Sequence, residues 1–90
     1  MSGEPRSAQP IDFVTFVLSL ASSAFVHMGD APHPESGAPA ENLPLAKQTI
    51  DILGMLREKT KNNLTPDEAR LLDTLLYDLR MRYVAKLKEQ

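Results

Sequence analysis

Apolar residues along this chain recur at helical rather than alternating spacing, in three blocks separated by breaks rich in proline, glycine and polar residues. The first block is "IDFVTFVLSLASSAFVHMG", Ile11 to Gly29. Asp12 is a good N-cap and Gly29 a natural left-handed stop, so the pattern predicts a helix from Phe13 to about Met28. At about 100° per residue, Thr15, Ser19, Ser22, Ser23 and Val26 share one arc, and apolar side chains fill the rest of the circumference.

The second block opens near Pro44, with Asn42 or Leu43 as cap and proline suited to the first turn. Leu45, Ala46, Thr49, Ile52, Leu53, Leu56 and Thr60 form an expected inner stripe, with Lys47, Asp51, Gly54, Glu58 and Lys61 opposite. "KNN", Lys61 to Asn63, closes it. The third block has the clearest start: Thr65 as N-cap, Pro66 in the first position and Glu68 three residues after the cap, a capping box. Ala69, Leu72, Leu76, Leu79 and Tyr83 give its main seam, widened by Leu71 and Leu75, and Tyr77, Met81 and Val84 give a second stripe. The predicted fold is therefore all-α: a three-helix domain over residues 11–88, with helices 2 and 3 as a hairpin across a short turn. Residues 1–10 read as a disordered tail, and residues 30–42, with three prolines and a glycine, as an irregular connector.

A helix apolar nearly all round has to be enclosed. Two flanking stripes are too narrow to cover so wide an arc, so helix 1 is expected to lie centrally and to be completed by another copy of the chain. The residues assigned to that interface are Phe13, Phe16, Val17, Leu20, Ala24 and Phe25, with Tyr77, Met81 and Val84 as a second candidate surface. Thr15, Ser19 and Ser23, four apart, either let two helix backbones approach or bond their own preceding carbonyls or solvent. A membrane span fits poorly: about 16 helical residues reach roughly 24 Å, against a hydrocarbon core of about 30 Å. The flanks are acidic, Asp12 and Asp30, where basic and aromatic residues would be wanted. An interfacial helix would pair its apolar face with Lys and Arg, and here the polar arc holds hydroxyls.

Composition narrows the choice further. With 90 residues the chain makes one domain at most, and small domains often need a partner or a staple. It has no cysteine, so no disulfide or thiolate metal site is available. Its net charge of −2 argues against bulk nucleic-acid binding, although Arg57, Lys59 and Lys61 and the run Arg80, Arg82, Lys86 and Lys88 are locally basic. Helix dipoles account for basic residues at those helix ends. The polar, proline-containing start does not resemble a secretory signal, which points to a cytoplasmic protein.

Candidate chemistry is thin. His27, Asp30, His33 and Glu35 are metal-ligand types in one short stretch, but their spacing follows no rigid motif, and His27 is more simply a helix-end residue interacting with terminal carbonyls. Asp51, Glu58, Asp73 and Asp78 have structural roles available; Lys47 with Asp51 and Asp78 with Arg82 are helical pairs four apart. No nucleophile–base arrangement or glycine-rich phosphate loop is present. No enzyme activity, cofactor or metal is expected.

The segments "DFVTFVLSLASSAFVHMG" and "NLPLAKQTIDILGMLREKTKNNLTPDEARLLDTLLYDLRMRYV" closely resemble a family of short bacterial proteins, the domain of unknown function 1844 family, from about Ile11 to Val84. The resemblance implies a small helical bacterial protein, cytoplasmic in setting, and carries over no catalytic residue. Taken together, the expectation is a non-catalytic interaction or assembly module that self-associates through helix 1, with a possible further protein partner. The alternatives are a small-molecule or lipid-binding bundle with helix 1 lining an apolar cavity, and a peripheral membrane protein.

Overall fold

The structure, a computed structural model, describes residues 11–31 and 41–89. These form α1 (Phe13–His27), α2 (Leu43–Lys59) and α3 (Pro66–Lys88), and every pair of helices is in contact. The expected tail at 1–10 and the middle of the 30–42 connector, with His33 and Glu35, lie outside the described residues.

Local chemistry sets the helix ends. Asp12 accepts the Thr15 amide at 2.8 Å, which holds its carboxyl below the usual range and satisfies one orphan donor of the first turn. At the other end of α1 the Gly29 amide donates to Val26 O and the Asp30 amide to Phe25 O, a Schellman turn around Gly29 at φ +81°. The Asn42 amide then donates to His27 O at 2.6 Å, and Asn42 Oδ1 caps α2 through the Leu45 amide. So the chain leaves α1 and returns against its last turn. Asn62 takes the left-handed conformation (φ +67°) in the α2–α3 turn, and the expected capping box is present: Glu68 N donates to Thr65 Oγ1 and Thr65 N to Glu68 Oε1.

The core is a single cluster. α1 contributes Val17, Ala21, Ala24 and Met28; α2 contributes Leu43, Ala46, Ile50 and Leu53; α3 contributes Leu72, Leu76 and Leu79. Each fully buried Leu, Val or Met stabilises the fold by about 1.5–3 kcal/mol. Ala21, Ala24 and Ala46 are the small members, and they let the helix backbones come close where larger residues would hold them apart.

Three expectations change here. The inner stripe of α2 is rotated: Leu43 and Ile50 are buried, while Leu45 and Ile52, expected inside, are exposed. α2 is apolar over more than half its circumference, so its pattern left the inward direction underdetermined; contact with α1 and α3 at once selects the Ala46–Ile50–Leu53 line. Val26, placed on the polar arc, is buried in the last turn, where the chain doubles back. Finally, the hairpin of the same chain covers part of the α1 arc assigned to a second copy, at Val17 and Ala24. One side meets the hairpin, and Val14, Phe16 and Leu18 on the other flanks are exposed.

Candidate functional site

The outer side of the α2–α3 hairpin carries an open cleft of about 250 Å³. Its floor and apolar wall are Leu76, Tyr77 and Met81 of α3, and its polar rim is Arg57, Glu58, Asp73 and Arg80. Gly54 lies in the floor, where a Cβ would stand 3.0 Å from Arg80 Nη2, so the missing side chain is what lets the guanidinium lie down on α2. At the turn end, Arg57 grips Asp73 with two bonds, Nε to Oδ1 at 2.6 Å and Nη2 to Oδ2 at 3.2 Å. That fork holds the Asp73 carboxyl below its ordinary range and raises the guanidinium further. Sequence spacing does not reveal this pair, because its partners are on different helices. Arg80, by contrast, has no carboxylate partner among the described residues, whereas Arg57 and Arg70 each have one and Arg82 has two.

Beyond the cleft the apolar wall continues along α3 as an exposed stripe: Tyr77 is 69% exposed, Met81 56% and Val84 48%. These three, assigned from sequence to a second interaction surface, do lie on one face and are free of the core. The helix 1 set divides. Val17 and Ala24 are completely buried within the single chain, so they present no face to a partner, a correction that follows from the cover given by the hairpin. Phe13, Leu20 and Phe25 pack partly against the same core, Phe16 is 39% exposed on one flank of the helix, and Val14 and Leu18 are exposed on the other. The hydroxyl question resolves toward the local option for Ser19, whose Oγ donates to Thr15 O at 2.9 Å.

At the α1–α3 corner, Asp30 receives Lys86 at 3.3 Å and Arg82 at 3.5 Å, and Arg82 also pairs with Asp78 and lies 5.2 Å from the Phe25 ring centroid. These bonds raise the Lys86 and Arg82 pKa values, the first through Asp30 and the second chiefly through Asp78. Asp30 thus serves as an ionic tie between α1 and α3. Two of the basic residues at the end of α3 are taken up in it. Lys47 pairs with Asp51 at 2.8 Å, as the four-residue spacing predicts. His27 does not bond the terminal carbonyls of α1. The Schellman turn and Asn42 take those oxygens, and His27 Nδ1 is buried with no hydrogen-bond partner among the described residues. Among the described residues no three metal-ligand side chains come together, and no helix is long and apolar enough to cross a membrane.

Comparison with known families matches residues 10–85 to the domain of unknown function (DUF1844), and the chain belongs to that family. No curated protein and no solved structure matches it.

Proposed function

We propose that the protein is a small, non-catalytic interaction or assembly module of the cytoplasm. The observation that carries this reading is the exposed run Tyr77–Met81–Val84, an aromatic and two aliphatic side chains lined up on the longest helix. Solvated apolar residues scattered singly need no explanation, but a contiguous set does, and its usual meaning is contact with another macromolecule. On α1 the remaining exposed apolar residues are divided, Val14 and Leu18 on one flank and Phe16 on the other, and they are what is left of the self-association expected along that helix. The titratable groups support a non-catalytic role, since Asp12, Asp30, Asp51, Asp73 and Asp78 each cap a helix or tie cations in place.

The test is light scattering on the purified chain over a dilution series. A species larger than one chain that dissociates on dilution supports an assembly role. A monomer at every concentration ends the self-association part of the reading.

A further inference from the structure

The outer stripe of α3 has a symmetry that its apolar content alone does not require. Along the exposed face run Asp73, Tyr77, Arg80 and Met81, Val84 and Lys88, with Thr74, Ala85 and Leu87 exposed at its edges. The spacing is the alternation of three and four that forms a helix–helix seam. The spacing is also symmetric about the point between Arg80 and Met81. Tyr77 and Val84 are equidistant from that point, and so are the acidic Asp73 and the basic Lys88.

We propose that α3 pairs with α3 of a second copy in antiparallel fashion, about a two-fold axis passing between Arg80 and Met81. The proposal rests on the assembly reading above and names its surface. An isologous interface must be self-complementary, each residue meeting its counterpart's partner. Here Tyr77 of one copy meets Val84 of the other, the two Met81 side chains lie across the axis about one residue of rise apart, and Lys88 meets Asp73.

The charges fit this arrangement at both ends and in the middle. Lys88 has no carboxylate partner among the described residues. In this register it faces Asp73, whose carboxylate is bonded to Arg57 of its own chain and stays more than half exposed. At the centre, two Arg80 side chains near one axis would repel each other. Each instead lies back over Gly54 of its own hairpin, with Nη2 3.0 Å from the point a Cβ there would occupy, which draws the charge off the axis and leaves Met81 at the centre. The seam from Asp73 to Lys88 is about 23 Å long. A seam this short makes a concentration-dependent pair rather than a permanent one.

The chain has no cysteine, so single introduced thiols read the register directly. A disulfide needs Cα atoms within about 7 Å. Met81→Cys, next to the axis, should oxidise to a covalent dimer in high yield. Tyr77→Cys alone should not, because two copies of that position are offset by about 10 Å of helix rise. A mixture of Tyr77→Cys and Val84→Cys chains should cross-link. Phe16→Cys on α1 is the control and should stay monomeric. All four positions are exposed, so the variants should fold, and circular dichroism checks that they do. Lys88→Glu should weaken the unmodified dimer by about tenfold, by setting like charges opposite Asp73 at both ends.

A dimer that cross-links through Phe16→Cys and not Met81→Cys would overturn the α3 seam while leaving the assembly reading standing. Equal cross-linking at Tyr77→Cys and Met81→Cys would overturn the antiparallel register. A monomer in light scattering with no cross-link at any position would remove both.

Discussion

α1 and α3 both leave apolar residues exposed, but α1 splits Val14 and Leu18 from Phe16 on separate flanks whereas α3 gathers Tyr77, Met81 and Val84 on one face. α1 is the greasier helix, yet its line Val17, Ala21, Ala24 and Met28 is covered by the hairpin of its own chain. α3 is far more polar, yet it keeps Tyr77, Met81 and Val84 in water after its own core line, Leu72, Leu76 and Leu79, has been satisfied. The difference teaches that total apolarity identifies a helix that must be buried, not the surface that meets a partner. A partner surface is what remains apolar after the internal faces are matched, and that remainder is a property of the packing.

The sharpest way to break this contrast uses the same substitution on each helix. Met28 is fully buried at the end of α1 and Met81 is exposed on α3. Met28→Ala should destabilise the fold by about 2–5 kcal/mol, since it removes buried methylenes and leaves a cavity. Met81→Ala in dilute protein should change stability by no more than about 0.5 kcal/mol. Urea denaturation followed by circular dichroism measures both. Similar losses at the two sites would mean that α3's outer face is covered within the chain after all.

Next in size are the backbone devices that set the helix ends. A Cβ built at Gly29 would meet the Glu41 side chain at ordinary van der Waals distance, the nearest atom being its Cβ at 3.6 Å, so Gly29→Ala suffers only from the left-handed conformation. That strain costs about 1–2 kcal/mol. Thr65→Ala removes one half of the capping box of α3 and should cost about 1 kcal/mol. Thermal unfolding resolves both. If Gly29→Ala were neutral, the return of the chain against the last turn of α1 would not depend on the Schellman geometry.

These same devices explain how much could be read from the residues. The three helices and the caps at Asp12 and Thr65 were legible because capping chemistry is local, a side-chain oxygen and the amide three residues on sufficing; for α2 the residues left Asn42 and Leu43 as alternatives, and the cap is Asn42. The stop at Gly29 was legible too. The inward face of α2 was not, because Leu45 and Ile52 are as apolar as Leu43 and Ile50, and only the positions of α1 and α3 choose between them. For the same reason the burial of Val17 and Ala24 inside one chain was misassigned to a contact between chains. Of the candidate site, the Tyr77–Met81–Val84 stripe was visible as periodicity. The cleft beside it was not, since its rim joins Arg57 to Asp73 and Gly54 to Arg80 across the hairpin, where spacing along the chain carries no information.

The smallest effect concerns that rim, and it sharpens the comparison at its polar edge. The inner side of the hairpin is held by burial; on its outer side the two-bond fork between Arg57 and Asp73 ties α2 to α3 in partial contact with water. Hydrogen bonding to Arg57 lowers the folded-state pKa of Asp73. A depressed carboxyl pKa favours the folded state at every pH above the unfolded value, about 3.9, and that contribution fades as pH falls through the lower folded value. Stability near neutral pH should therefore be flat with respect to this group, with a loss confined to the acid limb. Because the pair is exposed, the loss should be small and reduced further by salt. A carbon-detected NMR titration of the Asp73 carboxyl gives the direct reading. It should titrate below an ordinary aspartate, and Arg57→Gln should return it toward the ordinary range while leaving the core resonances of Leu53, Leu72 and Leu79 in place. An Asp73 that titrates normally in the wild-type protein would mean the fork is not held in solution, and that apolar burial alone joins α2 to α3.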